Sequence, residues 1–268
     1  MKDIVREIEQ KELLKAKIRR RVVANRIVAL TLFRDHFSST PGKNSWDLCG
    51  KPVYYWAIKA ASESKYLEKI IVWTEIKEAR EVLRGLSDKI IFAERTLEEC
   101  KEPTWKIVDD LKRHDSRVDV CTHSVIQNLL AGKMREALGF EPTVLLRFAS
   151  NYPLQKTETF DKVVEKYFED DLAEECRTMT EVHRYLWQHH PEQPQYLVRT
   201  GFSHHANRRQ AMPAIYTPAG PYITSYQWTG MKRVAYVLVP RSEGIEIHNK
   251  EDLELARLYM EKRLEEEK

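Results

Sequence analysis

The sequence predicts an α/β fold built on a mixed, mostly parallel β-sheet with helices on both faces. Up to about residue 170, short β-branched runs alternate with helical patterns, which is typical of parallel strands joined by helical crossovers. The 268 residues, 42% hydrophobic and 32% charged, are enough to form a packed core. After residue 175, short β-like runs with many prolines and aromatic residues favour an antiparallel extension or a small lobe that folds over the site.

The individual elements follow from hydrophobic periodicity and turn residues. A partial apolar stripe predicts a charged helix over residues 2–24. We assign residues 1–25 to an N-terminal helical extension and residues 26–268 to one domain. The pattern then predicts, in order, strand Arg26–Leu32, helix 52–64, strand Lys69–Thr74, helix 77–85, strand Lys89–Ala93, broken helices over 103–138, strand Thr143–Ser150 and helix 158–168.

The last third of the domain is predicted to contain an inserted lobe and a final helix. Asn249 is a candidate N-cap for that helix, with Asp252 three residues later. Its apolar stripe comprises Leu253, Ala256, Met260 and Leu264. The lobe spans about residues 175–235, around the β-like runs Thr178–Val182, Tyr196–Thr200, Tyr222–Ser225 and Ala235–Val239.

Composition limits the partners. A net charge of +3 gives no argument for nucleic acid, so none is expected. No run of eighteen apolar residues occurs, so no membrane span is expected. The N-terminus has no apolar segment typical of a signal peptide, which predicts a cytoplasmic protein. The four cysteines are scattered without a CxxC pair, which favours reduced thiols over zinc or disulfides.

The stretch Thr40-Pro41-Gly42-Lys43-Asn44 is the most informative motif. It lies in a loop that follows the first predicted strand, and it places a lysine beside a proline and a glycine. A strand that leads into such a loop is a usual way to hold phosphates in an α/β domain. The spacing differs from the Walker motif and from the Rossmann glycine motif. Lys43 is therefore a candidate phosphate ligand, with an ordinary loop lysine as the alternative.

Five stretches together resemble a known family. They are Arg34 to Asn44, Leu48-Cys49-Gly50-Lys51-Pro52-Val53, Leu145 to Leu154, Asn207 to Tyr216 with Gly220-Pro221-Tyr222-Ile223, and Ile245 to Leu253. In this order and register, the chain resembles the cytidylyltransferases that make CMP-activated acidic sugars. These are the CMP-sialic acid synthetases, with SpsF-like and CMP-Kdo synthetases as cousins, and this chain is similar to a divergent member.

The resemblance implies a fold and a reaction. The fold is that of the nucleotide-diphospho-sugar transferases, which is Rossmann-like, with a small β-rich dimerisation lobe. The reaction is the transfer of CMP from CTP to an acidic sugar of the 3-deoxy-2-ulosonic acid type, or to a related anionic acceptor, with release of pyrophosphate. A homodimer and a divalent ion, Mg²⁺ or Mn²⁺, are expected with it.

The resemblance also implies roles for individual residues. Arg34 and Lys43 are expected to hold the triphosphate and to act in catalysis, and Pro41 and Asn44 are expected to complete the nucleotide loop. The acceptor is expected to meet Arg147, Arg208, Arg209, Gln210 and Tyr216. The metal is expected to bind Asn151, Glu246 and His248.

Several positions depart from the family pattern. Asp35, His36, Phe37 and Ser38 replace two glycines, a serine and a lysine, and Asn151 and His248 stand where aspartates are usual. These changes favour an alternative, a catalytically impaired homologue that acts as a nucleotide-sugar binding or scaffold subunit. A glycosyltransferase-like protein is a second alternative, although no DxD motif stands out.

Four other features have competing interpretations. The basic run Lys15 to Arg21 suits an anionic partner, but a solvated helix face or a contact with a second subunit is the commoner use. The histidines at 189, 190, 204 and 205 suggest zinc, yet their spacing favours a solvated lobe. Trp187, Trp228 and the tyrosines of 216–226 can stack on a base or pack in a core. Arg147 can equally pair with a nearby carboxylate.

Overall fold

A computed structural model describes residues 2–37, 40–97, 100, 134–182, 186–189, 197–200, 215–225 and 233–267. The strands are β1 Ile27–Leu32, β2 Asp47–Leu48, β3 Lys51–Pro52, β4 Lys69–Thr74, β5 Ile90–Glu94, β6 Val144–Arg147, β7 Glu175–Val182, β8 Leu186–His189, β9 Leu197–Thr200, β10 Ile215–Ser225 and β11 Val234–Leu238. The helices are α1 Lys2–Val23, α2 Val53–Ser62, α3 Glu78–Val82, α4 Thr157–Glu169 and α5 Lys250–Glu266, and residues 134–138 are also helical.

Seven of the described strands form the central sheet, in the order β11-β7-β10-β6-β1-β4-β5. Strand β1 pairs in parallel with β4 and β6, and β4 pairs in parallel with β5. Strand β10 runs antiparallel to β6 and β7, and β11 is parallel to β7. Within this sheet, β10 alone runs against the others. The predicted mixed, mostly parallel sheet is confirmed.

The strands predicted between residues 175 and 240 divide into two groups. Strands β7, β10 and β11 extend the central sheet beyond β6, as an antiparallel extension would. Strands β8 and β9 pair with each other in a separate two-stranded sheet. Strands β8 and β9 are therefore the described part of residues 175–235 that lies outside the central sheet. The assigned domain boundaries stay a prediction.

Alternating side chains of each strand cover the two faces of the sheet. On β1, Ile27 and Ala29 pack with α2 and α4, including the fully buried Phe160, whereas Val28 and Leu30 pack on the opposite face with Met134. Continuous apolar sequence in β1 is needed because both faces are covered. The sheet is thus buried at its centre, and the polar groups of the site are confined to the strand ends.

Helix α1 is attached to the domain by its basic run. Ile18 and Val22 pack against the main core, and Arg21 donates to the carbonyl oxygen of Phe168 over 2.8 Å. Lys17 and Arg21 both form ion pairs of 2.6 Å with Asp171. These two cations therefore serve an intramolecular contact, which neither the solvated-face nor the second-subunit interpretation anticipated.

Helix α5 begins as predicted. Asn249 is the N-cap, its side chain accepts from the Asp252 amide over 2.9 Å, and the Asp252 carboxylate accepts from the Asn249 amide over 3.1 Å. Leu253, Ala256 and Met260 are buried, and Leu264 is partly buried, against a cluster that includes Leu48. The N-cap fixes the start of α5 and, with it, the loop that carries Glu246 and His248.

None of the helices that the structure describes is long and apolar enough to cross a membrane.

Substitution of Phe160 tests the main core. We expect Phe160→Ala to lower the free energy of unfolding by about 3–5 kcal/mol, because the ring is fully buried and packs edge-on against Phe148. Leu258→Ala on α5 is the control, since that side chain is 66% exposed and its loss should change stability by less than about 0.5 kcal/mol. Urea unfolding measures both, and equal effects would contradict the assignment of the core.

Candidate active site

The loop after β1 begins the site. Gly42 has φ +79°, a left-handed conformation that glycine adopts without strain, and it precedes the short 3₁₀ turn Lys43–Ser45. Asn44 is 4% exposed, its side chain donates to the carbonyl oxygen of Arg34 over 2.7 Å, and its amide donates to Asp35 over 3.1 Å. Ser45 also donates to the Asp35 carboxylate. Asn44 and Asp35 therefore order the loop from within.

Glu75, the residue after β4, holds the same loop from outside. Its Oε1 accepts hydrogen bonds from the amides of Asp35 over 2.8 Å and His36 over 3.0 Å, and it contacts the His36 ring at 3.3 Å. Burial acts to raise the pKa of Glu75, but the amide and imidazole hydrogen bonds outweigh it and lower the pKa. Glu75 is thus a carboxylate at neutral pH, and it accepts hydrogen bonds from two backbone amides of the expected phosphate loop.

Our sequence analysis missed Glu75, although its position carried a signal. A charged residue that follows a buried strand directly, at the carboxyl end of a predicted parallel sheet, lies where α/β proteins place their functional groups.

Lys43 meets the segment before α5. Its Nζ lies 3.4 Å from Nδ1 of His248, and Thr40 donates to the His248 carbonyl oxygen over 2.8 Å. His248 in turn contacts Glu246 through Nε2 at 3.0 Å. Burial lowers the pKa of Lys43, while the nearby carboxylates of Glu246 and Asp252 act to raise it. The structure therefore brings Lys43 to an imidazole that lies 205 residues later in the sequence and to the carboxylate next to that imidazole.

Glu246 is the centre of this contact network. Its Oε1 accepts from Asn151 over 3.1 Å, and its Oε2 accepts from Tyr152 over 2.8 Å and faces His248. Burial acts to raise the pKa of Glu246, but the hydrogen bonds from Tyr152, His248 and Asn151 lower it overall. Burial and the adjacent Glu246 charge raise the pKa of Tyr152, so its hydroxyl stays a neutral donor. Tyr152 is a second residue that our sequence analysis missed.

The three expected metal ligands lie together, but they contact one another directly. Among the described residues, no group of three or more His, Cys, Asp or Glu side chains is placed to hold a metal ion. Glu246 is the one carboxylate of the set, and its two oxygens accept the hydrogen bonds of Asn151, Tyr152 and His248. Mg²⁺ commonly binds through one or two carboxylates plus substrate phosphates. The donor set fits that kind of shared ion, with Glu246 as its anchor, and does not fit an ion held by protein alone.

Arg34 and Lys43 have different partners. Its Nη1 donates to the carbonyl oxygen of Cys100, which lies beyond β5. Our sequence analysis treated Arg34 and Lys43 as one cationic pair. In the structure the two have different partners, because the turn at Gly42 directs Lys43 toward His248 while Asn44 fixes the Arg34 backbone.

A cleft of about 900 Å³ opens beside the loop. It lies at the carboxyl ends of β1, β4 and β5, where parallel sheets usually bind ligands. Its described lining includes both apolar and charged side chains, among them His36, Thr74, Glu75, Phe92 and Arg95. The size and the mixed lining suit a small polar ligand.

The remaining predicted residues lie in several places. Pro41 is exposed at the start of the turn, and Arg147 is buried at the end of β6 with 5% exposure. Tyr216 is exposed on β10, with its ring 5.5 Å from that of Tyr236. Arg208, Arg209 and Gln210 lie outside the described residues, as do His190, His204, His205 and Trp228.

The pH dependence of stability tests the hydrogen bonds that the Glu75 carboxylate accepts from the Asp35 and His36 amides. We expect Glu75→Gln to lower the free energy of unfolding at pH 7 by about 1–2 kcal/mol, since charge-assisted hydrogen bonds to two amides are replaced by neutral ones. The native pKa of Glu75 is depressed, so its contribution is present above the unfolded pKa of roughly 4.3 and is lost as the pH falls through the lower native value. Urea unfolding between pH 7 and pH 3 should show the difference shrinking.

Glu78→Gln is the matched control, because Glu78 lines the same cleft and is exposed. Its unfolding curve should follow that of the wild type within about 0.5 kcal/mol. If the difference in unfolding free energy between the wild type and Glu75→Gln stays constant with pH, the assignment of a charged Glu75 on these amides is wrong.

Comparison with known proteins assigns the fold and the family. A sequence model of the cytidylyltransferase family matches residues 37–223, and no curated protein matches the chain in sequence. A 4-diphosphocytidyl-2C-methyl-D-erythritol synthase from Anaerococcus prevotii DSM 20548 superposes with a TM-score of 0.57 at 12% identity, over 88% of this chain and 99% of that chain.

Two further solved structures have a similar fold. A CMP:2-keto-3-deoxy-manno-octonic acid synthetase complexed with CTP superposes with a TM-score of 0.56 at 13% identity, over 89% of this chain and 99% of that chain. Another 4-diphosphocytidyl-2C-methyl-D-erythritol synthase gives a TM-score of 0.58 at 11% identity, over 88% and 98%. At such identities the superpositions establish the α/β nucleotidyltransferase fold, and the family match spans more than half of the chain. The chain therefore belongs to the cytidylyltransferase family.

Proposed function

We propose that this cytidylyltransferase transfers CMP from CTP to an acidic sugar of the 3-deoxy-2-ulosonic acid type, or to a related anionic acceptor, and releases pyrophosphate. The observation that carries the proposal is the contact of Lys43 with His248 and, through it, Glu246. This contact places a cation and a carboxylate on either side of one imidazole, next to the loop after β1. Such a pair can neutralise a triphosphate and hold its divalent ion.

The chain's own residues mainly position the substrates. The acceptor oxygen forms a bond to the α-phosphorus while the bond from that phosphorus to pyrophosphate breaks, so charge neutralisation and in-line geometry account for most of the catalysis. We place the cytidine in the cleft beside β4 and β5, and the phosphates toward Lys43. Asn44 keeps the loop in shape, and Arg34 either holds the Cys100 segment or turns to the phosphates.

A divalent ion has one suitable anchor. Glu246 would bind Mg²⁺ or Mn²⁺ together with the nucleotide phosphates, and Asn151 or His248 would complete the ligand set. When bound, the ion would supply positive charge to the α-phosphate. Glu246 suits this role because its lowered pKa keeps it ionised at neutral pH.

The alternative is a catalytically impaired homologue that binds a nucleotide-sugar or serves as a scaffold. Glu75 favours it, because this carboxylate occupies the Asp35 and His36 amides that a phosphate would otherwise use. Isothermal titration and a pyrophosphate assay separate the two functions. Binding of CTP without pyrophosphate release, across a panel of anionic acceptors, would favour the scaffold.

A homodimer belongs to the same proposal. Val234, Tyr236 and Leu238 are exposed on β11, the terminal strand of the described sheet, and Tyr216 lies beside Tyr236. An exposed apolar strip on an edge strand suits a protein contact. A cytoplasmic location stays a prediction from the sequence.

Substitution of Lys43 tests the phosphate role. We expect Lys43→Ala to weaken CTP binding by about 1.5–3 kcal/mol, since a charge-assisted contact to phosphate is lost. Isothermal titration measures the dissociation constant. Lys51→Ala is the matched control, because Lys51 is an exposed lysine on β3 beside Tyr55 of α2, and its loss should leave CTP binding unchanged. An unchanged dissociation constant for Lys43→Ala would remove the phosphate role.

The choice of metal tests His248. We expect Mn²⁺ to support activity better than Mg²⁺, because imidazole binds softer ions more readily. His248→Asp should reverse this preference, since an aspartate supplies a second hard oxygen ligand. Initial rates of pyrophosphate release with each ion measure both proteins. Equal rates with the two ions, or undiminished activity in a chelator, would count against His248 as a ligand.

A further inference from the structure

Two backbone amides and one imidazole of the loop after β1 converge on a single oxygen atom of Glu75. Oε1 accepts from the amide of Asp35 over 2.8 Å and from that of His36 over 3.0 Å, and it lies 3.3 Å from Nδ1 of the His36 ring. Successive backbone amides that point at one place are a common way to bind phosphate and other oxyanions. The loop therefore presents an anion-binding site, and a carboxylate of the same chain fills it.

This site borders open space. Asp35, His36 and Glu75 all line the cleft of about 900 Å³ beside the loop. The side chain of His36 is 64% exposed, whereas that of Glu75 is 4% exposed. A ligand in the cleft can reach the imidazole directly, and it reaches the two amides once the Glu75 carboxylate has moved aside.

The Glu75 carboxylate is only half satisfied where it lies. Its Oε2 is buried and has no hydrogen-bond partner in the described part of the chain. A buried carboxylate oxygen without a donor costs free energy. Rotation of the side chain into the cleft would return both oxygens to water, and two exposed cations, Lys77 and Arg80, line the same cleft. The cleft thus offers the displaced carboxylate solvent and opposite charge.

The loop also has hydrogen bonds that do not involve Glu75. The Asp35 carboxylate accepts from the Asn44 amide over 3.1 Å and from the Ser45 hydroxyl, and Asn44 donates to the Arg34 carbonyl oxygen over 2.7 Å. These bonds stay in place when the Glu75 side chain rotates away. Departure of Glu75 therefore frees the two amides without dismantling the turn that presents them.

We propose that Glu75 is an autoinhibitory group. It occupies the amides of Asp35 and His36 in the free protein, and phosphate oxygens displace it into the cleft when they bind. The inference rests on the proposed function for the identity of the anion, the triphosphate of CTP, and it adds how that site is regulated. The site fills only at a nucleotide concentration that overcomes the internal carboxylate. Glu75 is then a positioning residue, because it acts on the ligand through the loop amides.

The experiment measures anion affinity and stability on the same proteins. CTP and inorganic pyrophosphate are titrated calorimetrically at pH 7 and matched ionic strength into the wild type, Glu75→Gln and Glu75→Ala. We expect both variants to bind each anion at least fivefold more tightly than the wild type and to melt at a lower temperature. A group that only orders the loop would instead make both variants bind more weakly, which would overturn the proposal.

Glu78→Gln is the matched control, because it removes the same charge from an exposed side chain of the same cleft. Charges exposed to solvent are screened, so this variant should tighten anion binding by less than about twofold. An increase as large as that of Glu75→Gln would show a general effect of cleft charge and would overturn the proposal.

Amide hydrogen exchange, followed by NMR, locates the bound anion. In unliganded Glu75→Ala, the amides of Asp35 and His36 should exchange faster than in the wild type, because their acceptor is gone. Pyrophosphate or CTP should restore their protection. If a bound anion leaves these two amides exchanging at the unliganded rate, the anion binds elsewhere and the inference is wrong.

The same samples separate this inference from the proposed function. Turnover of CTP by the wild type, with unchanged anion affinity in Glu75→Gln, would overturn the inference alone. Tighter pyrophosphate binding by both Glu75 variants, with no transfer from CTP to any anionic acceptor, would overturn the proposed function alone. Absence of binding of either anion to all three proteins would overturn the inference as well.

Discussion

The hydrogen bonds that hold the loop after β1 are the interactions on which the rest of the site depends. This loop leaves the centre of the sheet, and in this chain it lacks the paired glycines that would let its backbone turn freely around a phosphate. Its shape comes from side-chain oxygens placed on backbone amides, with Asp35 inside the loop and Glu75 outside it. Because these bonds fix the turn at Gly42, they also fix the direction in which Lys43 projects toward His248.

The sequence was sufficient for most of the framework. Strand β4 has the predicted limits, and the cap at Asn249 and the buried stripe of α5 are as expected. These features were predictable because the periodicity of apolar residues and the capping residues depend on local sequence. Asn151, Glu246 and His248, which two motifs supplied, lie close together in the structure, and their role as metal ligands stays a prediction.

Other features could not be predicted because they depend on contacts distant in sequence. The alternation of β7, β10 and β11 in the sheet depends on which edges meet, and short β-like runs do not specify that. The partner of Arg34 could not be predicted, because it is the Cys100 carbonyl oxygen, which is 66 residues from Arg34. Glu75 was missed because a single acidic residue after a strand has many uses, and its role is visible only once the amides of Asp35 and His36 are placed beside it.

Buried charge at this sheet is only partly compensated, for both signs. Glu75, Glu246 and Glu175 each accept hydrogen bonds from donors within the protein. In the part of the chain that the structure describes, however, Oε2 of Glu75 and Oε2 of Glu175 are buried without a hydrogen-bond partner, as are Nε and Nη2 of Arg147. Lys43 is partly buried beside the imidazole of His248.

The contacts of Glu75 bear on both proposed functions. The occupied amides of Asp35 and His36 agree with a scaffold that no longer binds a triphosphate, and they also agree with an enzyme in which the triphosphate displaces Glu75. In the second case the phosphate oxygens take over two backbone amides, and binding has to offset the cost of moving a carboxylate away from its donors. Lys43 beside His248 is placed to contribute to that balance, because a cation near the phosphates stabilises the bound triphosphate. The enzymatic interpretation therefore depends on Lys43 and Glu75 acting in opposite directions on the same loop.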